Sequence, residues 1–130
     1  TVRIVSDRPV GHRAGVEQIR AHGKEVLFAG TARVDFKQLF PMLEARGINH
    51  IMVEGGGHLN WQVFNLDLVD EIMLMQLPII IGGSDTTTLI DGEGFQDIEM
   101  TKAFKLHEFE ARSHYNFLHF KRDPQQRRAH

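Results

Sequence analysis

The sequence contains no cysteine. That excludes disulfides, thiolate metal ligands and a thiol nucleophile, and it suits a reducing compartment such as the cytoplasm. No apolar run approaches the roughly 18 residues needed to span a bilayer, and no secretory-signal pattern opens the chain, so no membrane partner is expected. There is no large excess of one charge. The formal net charge is −2, which leaves no global basic field to hold nucleic acid. The 8 histidines fall without a metal-ligand spacing such as H-E-x-x-H, so no metal is assigned. No internal repeat is present. What remains is a globular composition: 130 residues, 42% hydrophobic and 25% charged, enough for one domain with a real core and too few for two ordinary ones.

The apolar pattern changes character half-way. Val2 to Val5 reads as a strand, ended by the turn-like "SDRPVG". Ala14 to His22 reads as a short helix closed by Gly23, and Glu25 to Ala29 as the next strand. Asp35 is placed to cap a helix whose stripe is Phe36, Leu39, Phe40 and Leu43, with Pro41 predicting a kink or interruption and Gly47 the stop. His50 to Glu54 reads as a buried strand, and Leu59 to Asn65 as a helix. Strand then helix, three times over, is the signature of parallel strands with crossover helices. Val69 to Ile81 then reads as one or two strands broken at Pro78. Ala103 to Glu110 and His114 to Lys121 read as two strands joined by "ARS", an antiparallel meander. The expected architecture is α/β, a mixed sheet flanked by helices. The polar, basic end, residues 123–130, reads as a disordered tail.

Gly55, Gly56 and Gly57 stand between an apolar run and a helix-like run. Three residues without side chains do little for a core. At a helix start they present bare N–H groups, which together with the helix dipole favour an anion such as phosphate. The run is neither G-x-G-x-x-G nor a P-loop, since His58 stands where a P-loop has lysine. A strained turn with no ligand is the other reading. "IDGEGF", Ile90 to Phe95, is a turn rather than a calcium loop. In an EF-hand register its ligand positions would fall on Thr87, Leu89 and Ile98. Trp61 and Phe64, three apart on one helix, suit core or subunit packing.

Taken together, "MVEGGGHLNW", "LVDE", "LPIIIGG" and "TLIDGEGF" in this order resemble the C-terminal reductase domain of riboflavin biosynthesis. The domain also forms the second half of bacterial bifunctional deaminase-reductases. Within this family the chain is most similar to the archaeal-type pyrimidinone phosphate reductases. Upstream, "GTARVDFKQLFPMLEARGINHIMVEGGG" fits the family's approach to the glycines. The resemblance implies a dihydrofolate-reductase-like fold over residues 1–122. The family's opening strand, with its N-x-A-x-S-x-D-G pattern, has no counterpart here. The expectation is thus a domain lacking its N-terminal strands, a fragment or a shortened relative, with much of the substrate side outside it.

The resemblance also implies roles. Gly55, Gly56, Gly57, His58 and Leu59 would cradle the NADPH pyrophosphate. Glu54 would lie by the substrate and accept hydrogen bonds from ribose hydroxyls, or else cap its own loop as a structural carboxylate. Ser6 and Arg8 would meet the adenosine 2′-phosphate, with a plain surface turn as the alternative. Gly30 and, less directly, Arg33 sit where the family's next strand ends near the cofactor. Gly82 and Gly83 would admit the nicotinamide or form a tight turn. No side chain is an obvious general acid. The implied reaction is NADPH-dependent reduction of a ribosylamino-pyrimidine phosphate to its ribitylamino form by a cytoplasmic homodimer. Two other classes stay open: a related oxidoreductase acting on another substrate such as a pterin, and a non-catalytic nucleotide-binding or assembly module.

Overall fold

The structure is a computed structural model that describes residues 2–5 and 13–126. The chain forms two compact units, Thr1–Met52 and Val53–His130. In the first, strand β1 (Val2–Val5) pairs in parallel with β2 (Glu25–Phe28), in the register Val2↔Glu25 to Val5↔Phe28. Helix α1 (Arg13–Ala21) makes the crossover between them, as the alternation of strand and helix predicts. Helix α2 (Phe36–Glu44) follows. Asp35 does cap it: its Oδ1 accepts from the Lys37 N–H at 2.9 Å, and its Oδ2 accepts from Gln38 Nε2 at 3.0 Å.

Pro41 does not interrupt α2. The carbonyl it leaves without a donor belongs to Lys37, an exposed residue whose backbone oxygen water can satisfy. At the far end the Ile48 N–H reaches back to Leu43 O at 3.1 Å and the Gly47 N–H to Glu44 O at 2.8 Å. This turn brings Ile48 onto a small core of Leu27, Ala29, Leu39 and Leu43.

The second unit holds helix α3 (Gly57–Asn65) and strands β3 (Glu71–Gln76), β4 (Phe104–Ala111) and β5 (Asn116–Arg122). The strands are antiparallel, as expected, but their order is β3-β5-β4 rather than a meander. Leu74, Leu118 and Phe109 therefore lie side by side on one face; Met73, His119 and Glu108 lie on the other. A bulge between Leu106 and Glu108 leaves His107 without a register partner. At the end of β5, Arg122 binds the α3–β3 turn. It donates from Nε to Val69 O at 2.8 Å and from Nη1 to the Asp67 carboxylate. Lys102 adds a second cation 3.4 Å from Asp67.

His50 to Glu54 is not a strand: residues 48–56 carry no regular structure, and Ile51, Met52 and Val53 are 42%, 79% and 38% exposed. An apolar, β-prone run becomes a strand only when a neighbour takes its N–H and C=O groups, and among the described residues none does. The run Val69 to Ile81 yields a single strand that stops just before Pro78, one of the two expected outcomes; beyond Pro78, Ile79, Ile80 and Ile81 are exposed and unpaired in any ladder. The α/β class stands, with the parallel pairing in one unit and the antiparallel pairing in the other. Pro124–Gln126 form a single 3-10 turn, and the rest of the expected tail, residues 127–130, lies outside the described residues.

Candidate functional site

The glycine run ends in a helix, as its placement predicts, but the helix begins earlier than Leu59. Gly57 is its first residue and is buried. Gly56 is the N-cap, with extended φ −69° and ψ 171° and no side chain to satisfy the helix's first donors. Leu59 and Asn60 turn their N–H groups onto Gly56 O, at 3.0 and 3.1 Å. The N–H groups of Gly55, Gly56, Gly57 and His58 have no acceptor among the described residues. Four donors at the positive end of a helix are thus available to an anion.

The three glycines are glycines for different reasons. A Cβ on Gly55 would lie 2.4 to 2.7 Å from three side-chain atoms of Leu59. A Cβ on Gly57 would lie 2.0 Å from Asp91 Oδ2 and 2.8 Å from the Asp91 backbone N. A Cβ on Gly56 would meet nothing within 4 Å. The protein's own packing accounts for the first and third. Gly56 has an ordinary backbone conformation and open space in front of it, so its bareness is left for something outside the protein.

Around this loop, His58 is exposed and Leu59 half-buried. Glu54 is exposed and makes no hydrogen bond or ion pair among the described residues, so it is not capping its own loop. The "TLIDGEGF" segment is a turn, and it braces α3. Asn60 Nδ2 donates to Leu89 O at 2.8 Å. Gly92 lies so close under Trp61 that a Cβ would stand 2.1 Å from the indole. Phe95 packs on the same ring, centroids 4.9 Å apart, while Phe64 meets Phe104 at 5.8 Å. Both aromatics of α3 are therefore packing residues, as expected. Asp91 and Thr88 were missed by residue-level reading. The motif had marked a family, and its contact with the glycine loop is a long-range pairing that spacing does not reveal.

In the first unit, the end of β2 opens onto a cleft of about 560 Å³ lined by Gly30, Thr31, Arg33 and Gln38 among others. Gly30 is forced: its φ is +87°, and a Cβ would lie 2.2 Å from Arg33 O. Its N–H donates to Gln38 Oε1 at 3.2 Å. Arg33 is exposed and has no acidic partner among the described residues. Gly82 and Gly83, at φ +70° and +98°, form a tight turn closed by the Thr86 hydroxyl, which donates to Gly82 O. Ser6 and Arg8 lie outside the described residues.

A family model described as the RibD C-terminal domain matches residues 4–116. The chain belongs to that family. It is 42% identical over 100 residues to a 2,5-diamino-6-ribosylamino-4(3H)-pyrimidinone 5′-phosphate reductase of Aquifex aeolicus, covering 77% of this chain and 42% of that protein. A protein of the same name from Archaeoglobus fulgidus is 39% identical, covering 73% of this chain and 47% of its own length. The chain thus spans under half the length of these curated relatives. Among solved structures, a pyrimidine reductase-like protein from Corynebacterium diphtheriae superposes with a TM-score of 0.74 at 22% identity, covering 94% of this chain and 50% of that one. Acinetobacter baumannii RibD superposes at 0.68 and 16% identity, over 93% of this chain and 37% of its own. These two likenesses speak to the α/β fold alone.

Proposed function

We propose that residues 1–122 are the cofactor-binding part of a reductase-type domain that reduces a ribosylamino-pyrimidine phosphate to its ribitylamino form with NADPH. Family membership and the relatives' names support the reaction class. The observation that carries the cofactor role is the open, side-chain-free N-cap at Gly56, next to unclaimed N–H groups from Gly55 to His58. These residues fit a diphosphate: donors without acceptors, the positive end of a helix, and room where a Cβ would otherwise stand.

When bound, the nicotinamide supplies the hydride that, with a proton, reduces C1′ of the opened sugar. The chain's own residues bind and orient. The amides of residues 55–58 hold the diphosphate, and Leu59 packs on Gly55 and keeps the loop in register. Glu54, exposed and without a partner among the described residues, is available to ribose hydroxyls of the substrate. Ser6 and Arg8 are the candidates for the adenosine 2′-phosphate, where NADPH would be told from NADH, and Gly30 with Arg33, exposed at its cleft, is a less direct candidate for cofactor contact. Apolar side chains left exposed, Met73 at 66%, Met75 at 60% and Ile80 at 99%, support a homodimer that covers them. A cytoplasmic setting suits the absence of cysteine.

Titration of the purified chain with NADPH, followed through Trp61 fluorescence, tests the reading. Saturable binding that Gly56→Val weakens at least about tenfold supports it, since lost charge-assisted hydrogen bonds are worth about 1.5–3 kcal/mol each. Unchanged affinity in Gly56→Val removes the phosphate role.

A further inference from the structure

The carboxylate of Asp91 already sits where an anion is favoured. Its Oδ2 lies against the Cα of Gly57, the first residue of α3, close enough that a Cβ there would be 2.0 Å away. Its Oδ1 is tethered from below, accepting from the Thr88 N–H at 3.3 Å and from the Thr88 hydroxyl. That hydroxyl is also drawn towards Ile90 O, at 2.9 Å. The turn carrying Asp91 is fixed onto α3 by the Asn60–Leu89 hydrogen bond and by Gly92 and Phe95 against Trp61. The carboxylate cannot withdraw without giving up both bonds from Thr88.

No cation pairs with Asp91 among the described residues. Lys102, further along the chain, is committed elsewhere: it lies over the Phe95 ring and bridges to Asp67. An uncompensated negative charge is therefore held beside the same helix end that offers its free N–H groups. Without cofactor this charge complements the helix dipole and steadies α3. With a diphosphate on those N–H groups it becomes a like charge at short range, which opposes the bound state.

We infer that Asp91, tethered by Thr88, is a built-in counter-anion that weakens the hold of the glycine loop on the dinucleotide diphosphate. It is a positioning and affinity-setting residue rather than a catalytic one. The inference rests on the diphosphate reading above. Its use is cofactor exchange: a dinucleotide reductant must leave after each turnover, and release is often the slow step.

The test is calorimetric NADPH binding to the 130-residue chain as wild type and as Asp91→Asn, at low and high salt. The amide keeps an oxygen for Thr88 and loses only the charge. The expected result is about three- to tenfold tighter binding at low salt, a gain that shrinks as added salt screens the charge. Removing a merely structural contact would not produce that salt dependence. Thr88→Val, which frees the carboxylate to turn away, should tighten binding in the same direction by less, and it tests the point should Asp91→Asn fold poorly. Unchanged or weaker binding in these variants, with Gly56→Val still disrupting it, overturns the role of Asp91 and leaves the diphosphate reading intact. Binding indifferent to Gly56→Val overturns both.

Discussion

Adjacent glycines in one loop should respond in opposite ways to the same substitution. In Gly57→Ala the new methyl would lie 2.0 Å from Asp91 Oδ2 and 2.8 Å from the Asp91 backbone N. The carboxylate could rotate at the loss of its Thr88 bonds, but the backbone N can move only with the whole turn. Overpacking of this kind costs about 1–3 kcal/mol, set against a helix-propensity gain of up to about 1 kcal/mol for alanine over glycine. A net loss of about 1–2 kcal/mol should lower Tm by several degrees, since about 1 kcal/mol moves Tm roughly 4–8 °C in a domain of 60–100 residues. Gly56→Ala meets nothing within 4 Å, and φ −69° with ψ 171° suits any residue. Alanine is a poorer N-cap than glycine by about 1 kcal/mol or less, and its unfolded-state advantage of about 0.4–1 kcal/mol nearly offsets that. Its Tm should stay within about 3 °C of wild type, while NADPH affinity falls about tenfold or more. Thermal melts with and without NADPH measure both. A Gly56→Ala protein that binds as well as wild type, or a Gly57→Ala protein of undiminished Tm, refutes the division of labour argued for the loop.

The Arg122–Asp67 pair, 10% and 15% exposed, ties β5 to the end of α3. Arg122→Ala should cost about 2–4 kcal/mol, because it leaves the Val69 carbonyl without its donor and the Asp67 carboxylate with Lys102 alone; chemical denaturation would show it. Partial burial works to raise the Asp67 pKa, but the hydrogen bond and charge of Arg122, with Lys102, outweigh it and hold the carboxyl below its usual value. A depressed folded-state pKa means this stability is full above the ordinary aspartate range and is lost as pH falls towards the lowered value. Arg122→Ala should accordingly flatten the acid limb of the stability curve. Asp35→Ala removes the α2 cap and should cost about 1 kcal/mol, read as a drop in Tm. The purified chain, assayed alone on the pyrimidine substrate, should reduce it poorly or not at all; robust turnover would contradict the placement of the substrate side outside these residues.

What was legible in the sequence was local. The Asp35 cap, the end of α2 ahead of Gly47 and the β4–β5 hairpin follow from periodicity and capping chemistry within a few residues, and the parallel β1–β2 pair from the alternation of strand and helix. The helix start at the glycine run was equally plain, though the contact that leaves no room for a side chain at Gly57 comes from Asp91, far along the chain. The misread strand at His50 to Glu54 shows the limit. Its residues favour extended backbone, but a strand is a property of two segments, and one segment's sequence does not name its partner. The same holds for the order β3-β5-β4: the hairpin reveals that β4 and β5 pair, while nothing local says which of them β3 will join. Asp91 escaped notice because its role depends on where its turn is docked, and that is set by Trp61, Phe95 and Asn60 together.

The central claim is that bare backbone at the start of α3 holds the cofactor's diphosphate, and backbone amide NMR of the chain during NADPH titration tests it most directly. The account predicts that the amide signals of residues 55–58 shift most and saturate together. Shifts confined to other segments, with those four signals unmoved at saturation, would contradict it.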